Sequence, residues 1–330
     1  MNVLYSLLLV LALVVIPLIG AGALGWHTLF GVFIPLFAVV VFLVGFVYRI
    51  LDWGRSAVPF RIPTTGGQQE TMPWIKQSKL DNPSTTAGTV GRMALEILLF
   101  RSLFRNTQTQ LSQGPKLSYG SSKWLWLGAI AFHYSFFIIV ARHMRFFTEP
   151  IPMPFEWLDK LDGILQIGVP TLYLTEIVIL AALAYLFLRR VVVPQLRYIS
   201  LPADYFPLFL ILAIVISGIL MRYFIRTDVM DIKTLTMGLA TLNFSVPEGI
   251  GVIFYIHMFL VSALLVYFPM SKLMHLGGVF LSPTRNLANN NRMQRHINPW
   301  NHPVKVHTYQ EWEDEYREQM KEAGLPVEKE

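Results

Sequence analysis

Residues 124–147, WLWLGAIAFHYSFFIIVARHMRFF, form an apolar run long enough to cross a lipid bilayer, and His133 and His143 interrupt it. About 20 apolar residues span a hydrocarbon core of about 30 Å. A second such run near the end of the hydrophobic part carries His257, and His275 follows it directly. Ionisable side chains are costly at membrane depth and usually mark cofactor sites or ion paths. The histidines of these two runs therefore bear on both the fold and the function.

Composition predicts an all-α membrane protein with about six transmembrane helices in a bundle. Of the 330 residues, 54% are hydrophobic and 15% are charged, and the mean hydropathy is +0.48. A soluble domain carries more charge than this. The predicted spans are 3–24, 28–49, 124–147, 164–188, 205–225 and 250–274. The first apolar run follows Met1 and Asn2 without a basic leader, so we expect it to be retained as a span.

The distribution of basic residues predicts the orientation of these spans. Lys and Arg accumulate on the cytoplasmic side of membrane proteins. With the N-terminus inside, the inner segments hold twenty-one of the 27 Lys and Arg residues and the outer loops hold five. We therefore expect a multi-pass protein of the cytoplasmic (inner) membrane with both termini in the cytoplasm. The net charge of +6 then reflects orientation, and no nucleic-acid partner is expected.

The order of the spans predicts four regions along the chain. They are two N-terminal transmembrane helices in 1–49, a cytoplasmic basic loop in 50–123, a four-helix domain in 124–276 and a cytoplasmic C-terminal tail in 277–330. Within the loop, residues 86–105 have the pattern of an amphipathic helix on the inner membrane surface. Its Arg92, Arg101 and Arg105 are expected to face lipid headgroups or a partner protein.

The tail is predicted to contain a helix within residues 308–326. Thr308 and Glu311 have the spacing of a capping box, and Gly324 followed by Pro326 marks the end of the helix. One stripe of this otherwise charged helix is apolar and comprises Tyr309, Trp312, Tyr316 and Met320. Such a helix either folds over the chain's own loops or docks a cytoplasmic subunit.

The sequence contains no cysteine, which limits the redox chemistry that the chain can support. Thiolate-bound iron–sulfur clusters, covalent haem attachment through a Cys-x-x-Cys-His motif and disulfides are all excluded. Any redox centre held by this sequence must therefore bind without a covalent link to cysteine.

The four histidines predict two ligand pairs stacked across the membrane. If the two runs lie antiparallel, His143 meets His257 near the outer face and His133 meets His275 nearer the inner face. Haem b suits such pairs, because its iron accepts one imidazole nitrogen from each side of a flat ring. The other nitrogen of each imidazole can donate a hydrogen bond to a carbonyl one turn earlier, which fixes the tautomer.

The spacing of the histidines leaves a mismatch and some alternatives. At about 1.5 Å per residue, the ten residues of the first run rise about 15 Å and the eighteen of the second about 27 Å. Lone histidines in membrane helices often only hydrogen-bond to a neighbouring helix. A zinc or copper site would need its ligands at one depth. A proton-coupled transporter that uses histidines as relays, or a structural anchor for a soluble enzyme, would hold no haem.

The HYSFF and ARH segments (residues 133–143) and the late run with its two histidines resemble the gamma subunit family of respiratory nitrate reductase. In that family, haem ligands have these same spacings of ten and eighteen residues, and the resemblance covers residues 124–276. Outside it, RIPTTGGQQ (61–69), LDNPST (80–85) and GRMALEILLFRSLFRN (91–106) are similar to the DsrM family, the cytochrome b subunits of DsrMKJOP complexes. The cytochrome b of methanogen heterodisulfide reductases is a related but shorter protein.

The resemblance implies two non-covalent haem b groups with bis-histidine ligation. His133 and His275 would hold the inner haem iron, and His143 and His257 the outer one. It also implies menaquinone or menaquinol as the lipid substrate, in dissimilatory sulfur metabolism. The implied partners are a cytoplasmic iron–sulfur subunit similar to heterodisulfide reductase (DsrK-like), other membrane and periplasmic subunits, and membrane lipids. The chain would be an electron-transfer subunit of a quinol-dependent oxidoreductase complex, with no catalytic residue assigned.

Other ionisable residues near the outer ends of the spans are candidates for the same site. Arg142 and Arg145 are predicted to pair with haem propionates or with an anionic quinone, or else to reach the outer headgroups. Glu176, within the predicted fourth span, is expected either to relay protons from a quinol or to bind another helix. Three boundary acids are expected to be solvated: Asp159, Asp162 and Glu248.

Overall fold

The computed structural model describes residues 2–56, 67–112, 114, 116–166, 170–281, 286–293 and 305–329. Its α-helices in chain order are α1 (Asn2–Pro17), α2 (Ile34–Arg55), α3 (Thr86–Leu99), α4 (Arg101–Arg105), α5 (Lys123–His143), α6 (Met153–Asp162), α7 (Leu174–Val192), α8 (Pro194–Ile199), α9 (Pro202–Ile219), α10 (Val229–Thr241), α11 (Val252–Tyr267), α12 (His275–Leu281) and α13 (Tyr309–Glu322). Of the RIPTTGGQQ segment, only residues 67–69 lie within the described residues. In the tail, residues 282–285 and 294–304 lie outside them.

Short elements extend or connect these helices. The π-helical segments are Leu18–Ala23, Leu29–Phe33 and Leu220–Phe224, and the 3₁₀ segments are Met144–Phe146, Phe268–Met270 and Lys272–Met274. Four short strands form two antiparallel pairs. The strand β1 (Thr107–Ser112) pairs with β2 (Lys116–Ser121), and β3 (Gly163–Leu165) pairs with β4 (Leu172–Tyr173). The predicted all-α character is therefore confirmed apart from these hairpins, which lie between the long helices.

Five helices in the described part of the chain are long and apolar enough to cross a membrane, one fewer than the six predicted. They are Asn2–Ala23, Leu29–Arg55, Lys123–Phe146, Pro202–Phe224 and Val252–Met270. The predicted span at 164–188 is the one that differs. Residues 163–165 and 172–173, at the start of this predicted span, form β3 and β4, so α7 begins only at Leu174. The helix α7 also carries three charged residues: Glu176, Arg189 and Arg190.

The helix α7 nevertheless packs along α5. Gly128 of α5 lets the two helices approach closely, because a Cβ at this position would lie 2.5 Å from Cδ1 of Tyr185. At about 1.5 Å per residue, the 19 residues of α7 extend about 28 Å. A helix of this length beside α5 fixes one wall of the bundle.

The helix α11 lies inside the bundle and contacts α1, α2 and α9. One buried cluster joins it to α1 and α9 and consists of Val10, Leu210, Ile256 and Leu260. A second joins α7 and α9 and consists of Ile179, Leu183 and Ile211, against which Phe132 and Phe136 of α5 pack. Phe37 and Val44 on the other face of α2 are 64% exposed, as expected for side chains that face lipid.

The predicted amphipathic helix of the cytoplasmic loop forms in two pieces, α3 and α4. They are separated by Phe100, whose φ of 49° lies in the left-handed region. The prediction is wrong for Arg92, which is buried. Arg101 and Arg105 both bind the carboxylate of Asp81, and the side chain of Arg105 stays 53% exposed. Local periodicity located the helix correctly, but it could not reveal a carboxylate partner twenty residues away.

The ion pairs of Asp81 change its acidity. Burial alone raises the pKa of this carboxyl, but hydrogen bonds from Arg105, Arg101 and Ser78 outweigh burial and lower the pKa to about 2. Asp81 is therefore ionised at neutral pH and holds the loop against α4.

The predicted tail helix is confirmed. Thr308 and Glu311 form the capping box, and Gly324 follows the helix with a φ of 68°. The chain end folds back on α13, because the buried carboxylate of Glu313 accepts hydrogen bonds from two backbone N–H groups after it. The apolar stripe is divided: Met320 is buried, whereas Tyr309, Trp312 and Tyr316 are 40–46% exposed.

Candidate functional site

The four histidines of the two runs lie in the two pairs expected from antiparallel helices. The ring centroids of His133 and His275 are 5.9 Å apart and the rings are nearly perpendicular, at 82°. Those of His143 and His257 are 6.4 Å apart and nearly parallel, at 12°. His133 and His143 both belong to α5, so the two pairs lie at different depths along one helix.

The mismatch in spacing is resolved by a break after α11. The eighteen residues from His257 to His275 are not one helix, because α11 ends at Tyr267 and two short 3₁₀ segments follow. Pro269 cannot donate a backbone hydrogen bond, and Ser271 adopts an extended conformation between the 3₁₀ segments. The helix is therefore interrupted between His257 and His275, and the ring of His275 meets that of His133.

Each paired histidine uses its Nδ1 atom for a hydrogen bond within the chain. Three donate to backbone carbonyls three or four residues earlier, as the sequence predicted. These bonds run from His133 to Ala129 (2.7 Å), from His143 to Ile139 (2.7 Å) and from His275 to Lys272 (2.9 Å). A carbonyl only accepts, so Nδ1 carries the proton and Nε2 has the free lone pair. That is the tautomer a metal ligand requires.

His257 differs, because its Nδ1 lies 2.9 Å from the hydroxyl oxygen of Ser217 on α9. The single proton of that hydroxyl points to the carbonyl of Ile214, 2.9 Å away. Ser217 therefore accepts from the Nδ1–H group of His257, which again leaves Nε2 free. Sequence reasoning missed Ser217, and only its position as an isolated polar residue in an apolar span could have drawn attention to it.

The separation of the rings fits one metal ion between each pair. Bonds from a metal to imidazole nitrogen measure about 2 Å, and the ring centre lies about 1 Å beyond the nitrogen, so two trans ligands have centroids about 6 Å apart. The observed 5.9 Å and 6.4 Å match this value. Within the described ranges, no group of three or more His, Cys, Asp or Glu side chains could hold a metal ion. The centroid separations of both pairs are therefore compatible with one metal ion held between two imidazoles.

Aromatic side chains surround the pair formed by His133 and His275. The rings of Phe100 and Phe132 meet His133 edge-on, with centroids 5.0 Å and 5.1 Å from it. The backbone conformation of Phe100 is unfavourable for a bulky residue. Sequence reasoning did not single out Phe100, because a helix break at a phenylalanine has no local signal.

Arg142, next to His143, lies in a buried polar network at the C-terminal end of α5. Its guanidinium is 3.1 Å from the carboxylate of Asp162 and 3.7 Å from that of Glu176, and it stacks over the ring of Tyr173 at 3.5 Å. The expectation that Asp162 is solvated is wrong, because the residue is only 6% exposed. Asp162 ends α6 and also accepts from the backbone N–H and the hydroxyl of Thr175.

The other predicted outer residues divide between this network and the surface. The carboxylate of Glu176 accepts a 2.6 Å hydrogen bond from the hydroxyl of Tyr223. That hydroxyl also lies 3.0 Å from the carbonyl oxygen of Thr171, to which the guanidinium of Arg222 donates. Arg145 pairs with Asp159 at 3.2 Å, so Asp159 is not simply solvated. Glu248 is exposed, as predicted.

Some N–H groups of the two arginines have no hydrogen-bond acceptor in the described chain. They are the buried Nε of Arg142 and the buried Nε of Arg145. Both arginines lie close to His143 in the chain, so each could donate to a negatively charged group bound at the His143–His257 pair.

Comparison with known proteins accounts for this arrangement. The family model described as "Nitrate reductase gamma subunit" matches residues 90–296, which include all four paired histidines. The chain belongs to the nitrate reductase gamma subunit family. The match confirms the resemblance predicted for 124–276 and begins earlier, within α3.

Two relatives of this chain are each named "Hdr-like menaquinol oxidoreductase cytochrome b-like subunit". The protein of Archaeoglobus fulgidus is 48% identical over 279 residues, which are 82% of this chain and 83% of the relative. That of Archaeoglobus profundus is 42% identical over 274 residues, which are 81% of each chain. Neither name mentions DsrM, so the narrower resemblance stays a prediction.

Proposed function

We propose that the chain is a dihaem cytochrome b membrane subunit that transfers electrons between menaquinol and a cytoplasmic partner. The observation that carries this proposal is the pair of bis-histidine sites, each with Nδ1 hydrogen-bonded and Nε2 free at a separation that suits one iron. Membership of the family and the names of the two Archaeoglobus relatives agree with it.

His133 with His275 would hold the inner haem, and His143 with His257 the outer one. Bound haem b would supply reversible one-electron transfer. The chain's own contribution is orientation: the Nδ1 hydrogen bonds fix each imidazole, and Ser217 does so for His257. Arg142 and Arg145 would each donate an Nε–H to a propionate of the outer haem, because both donors are buried and have no other acceptor among the described residues.

The direction of insertion rests on the basic residues. Twenty-one Lys and Arg residues lie in segments assigned to the cytoplasm, so both termini would be cytoplasmic and the His143–His257 pair would lie near the outer face. Quinol oxidation at the outer side would release protons outside while electrons move inward. Although α7 has three charged residues, it would cross the membrane as a sixth span, since it is long enough and packs along α5.

The electron acceptor would be another protein. The sequence has no cysteine and therefore no thiolate for an iron–sulfur cluster. We propose a cytoplasmic iron–sulfur subunit similar to heterodisulfide reductase, within a complex that includes other membrane and periplasmic subunits. The "Hdr-like" name of the relatives supports this partner class. A DsrM-type role in dissimilatory sulfur metabolism rests on the sequence resemblance alone.

Glu176 would serve as a structural link between helices. Its carboxylate is already occupied by Tyr223 and lies beside Arg142, whose guanidinium also binds Asp162. Two carboxylates around one arginine, with Arg222 nearby, form a closed network that fixes the outer end of α5 and hence His143.

Two histidine variants test the sidedness of the proposal. His143→Ala should lose the outer haem and block reduction of the inner haem by a quinol analogue. His133→Ala should lose the inner haem but leave the outer haem reducible by quinol, with no onward transfer to the cytoplasmic acceptor. Dithionite reduction and haem content are the controls for assembly. The opposite pattern would place the quinone site on the cytoplasmic side.

A reduced-minus-oxidised spectrum of the purified protein separates this proposal from its rival. A proton-coupled transporter would hold no haem, and neither would a structural anchor. Absence of the spectrum from protein purified with its partners would therefore contradict the proposal as a whole.

A further inference from the structure

Phe100, between α3 and α4, has a backbone conformation that its side chain disfavours. Its φ of 49° and ψ of 46° lie in the left-handed region, where many helices end and where glycine is the usual residue. A glycine adopts this conformation without steric cost, whereas a phenylalanine adopts it only when the surrounding structure compensates. The reason for a phenylalanine at this position therefore lies in the contacts of its ring.

Two side chains of α5 hold the end of α3 just before Phe100. The indole Nε1 of Trp126 donates to the carbonyl of Leu99 at 2.7 Å, and the hydroxyl of Tyr134 donates to the carbonyl of Leu98 at 2.8 Å. Carbonyls at the C-terminal end of a helix have no donor within that helix, so these bonds cap α3. The break between α3 and α4 is thus tied to the part of α5 that carries the first iron ligand proposed above.

The ring of Phe100 contacts that ligand. It meets the imidazole of His133 edge-on, with centroids 5.0 Å apart and planes 83° apart, and Phe132 meets the same imidazole at 5.1 Å and 81°. The hydrogen bond from Nδ1 to the carbonyl of Ala129 fixes one edge of the imidazole, and the rings packed against it restrict rotation of its plane. Phe100 is therefore one of the groups that determine the plane of His133.

The two histidine pairs differ in the angle between their rings. The planes of His133 and His275 are 82° apart, and those of His143 and His257 are 12° apart. When two imidazoles bind one haem iron, the angle between their planes controls the splitting of the iron d orbitals. Perpendicular planes leave two of these orbitals nearly equal in energy and give ferric low-spin haem a large lowest-field g value. Parallel planes separate the two orbitals and lower that g value.

We infer that Phe100 is a positioning residue for the inner haem: its left-handed conformation directs the ring against His133 and keeps that imidazole perpendicular to that of His275. The capping bonds from Trp126 and Tyr134 stabilise this conformation. The inference rests on the proposed function, because it concerns a ligand of the proposed haem. A phenylalanine that only filled space would affect stability and haem content, but it would not control the angle between the two imidazoles.

Electron paramagnetic resonance of the purified ferric complex tests the inference. In the His143→Ala background, which lacks the outer haem, the remaining low-spin signal belongs to the inner haem. Phe100→Gly removes the ring and suits the left-handed backbone, so the lowest-field g value should fall as the imidazole of His133 turns away from the perpendicular. Phe100→Tyr keeps the ring and should retain the wild-type value. Phe104→Ala is the matched control: it removes a ring that lies edge-on to Trp126, with centroids 5.0 Å apart, and it should leave the g value unchanged.

Haem content and thermal stability of each variant show whether it is folded. If Phe100→Gly loses its haem, Phe100→Leu provides the same comparison, because it keeps an apolar side chain without a flat ring. An unchanged g value in a folded variant without the ring would overturn the inference, and so would an equal shift in Phe104→Ala. The inference also fails if the inner haem of the unsubstituted Phe100 protein already has the low g value of parallel ligands. In these cases the proposed function stands, whereas a wild-type complex without any low-spin haem signal would contradict the proposed function itself.

Discussion

Ser217 offers a direct test of the haem site proposed at His143 and His257. The Ser217→Ala variant removes the hydroxyl that accepts a hydrogen bond from the Nδ1–H group of His257. Ser217 is only 4% exposed. Water is therefore poorly placed to substitute for the lost hydroxyl. A buried donor without an acceptor costs about 1–3 kcal/mol.

With haem bound as proposed, part of this cost would depend on the oxidation state of its iron. A hydrogen bond from Nδ1–H makes the imidazole a stronger electron donor, which stabilises the oxidised metal more than the reduced metal. For a one-electron couple, 59 mV corresponds to a tenfold change in equilibrium constant, or about 1.4 kcal/mol. If the difference between oxidation states is about 1 kcal/mol, Ser217→Ala raises the outer haem potential by about 40 mV.

Potentiometric titration of the haem absorbance measures this shift. The matched control is Ser262→Ala, which removes another buried serine hydroxyl, one that donates to the carbonyl of Met258 within α11. The control should lower stability without moving either potential. An unchanged outer potential in Ser217→Ala, or an equal shift in Ser262→Ala, would refute the assignment of Ser217 as the partner of an iron ligand.

Further outcomes follow from the same geometry. A pyridine-haemochrome assay of the intact complex should give two haems b per chain, and one or none would contradict the two-pair arrangement. Glu176→Gln should lower the melting temperature but retain quinol oxidation; selective loss of that reaction in a folded variant would restore the proton-relay role. Deleting residues 306–330 should release the cytoplasmic subunit and leave the haem spectrum unchanged, whereas retention of the subunit would show that the tail is not the docking helix. The folded-state pKa of Asp81 is about 2 against an ordinary value of 3.8, so its stabilisation is full above about pH 4 and is lost as pH falls towards 2. Hydrogen exchange in residues 67–82 should show this pH dependence, and Asp81→Asn should abolish it.

Several features of the fold were predictable because their causes are local. Hydrophobic runs located the membrane helices, since a bilayer selects for length and apolar composition. The tail helix was predictable from Thr308 and Glu311, because a capping box involves residues only three positions apart. The pairing of the histidines followed from the antiparallel order of two helices. Connection length and charge distribution determine that order.

The start of α7 and the break after α11 were not predictable, because hydropathy does not separate an apolar helix from an apolar loop. Residues 163–165 and 172–173 are apolar but pair as strands, and the 3₁₀ segment Phe268–Met270 that ends α11 is as apolar as the helix before it. Both depend on what packs nearby; Gly45 of α2, for example, lies so close to Pro269 that a Cβ would meet its ring at 2.8 Å.

The sequence by itself determined that this is a membrane protein with two histidine pairs and no thiolate ligand, because residue type, spacing and hydropathy are properties of the chain. Only the tertiary structure decided which groups support those histidines. Ser217 reaches His257 across forty positions, and Asp162 reaches Arg142 from another helix. His27 meets Tyr255 from opposite ends of the sequence. Such partners are selected by helix packing, which brings distant residues within hydrogen-bonding distance and leaves no trace in the local pattern.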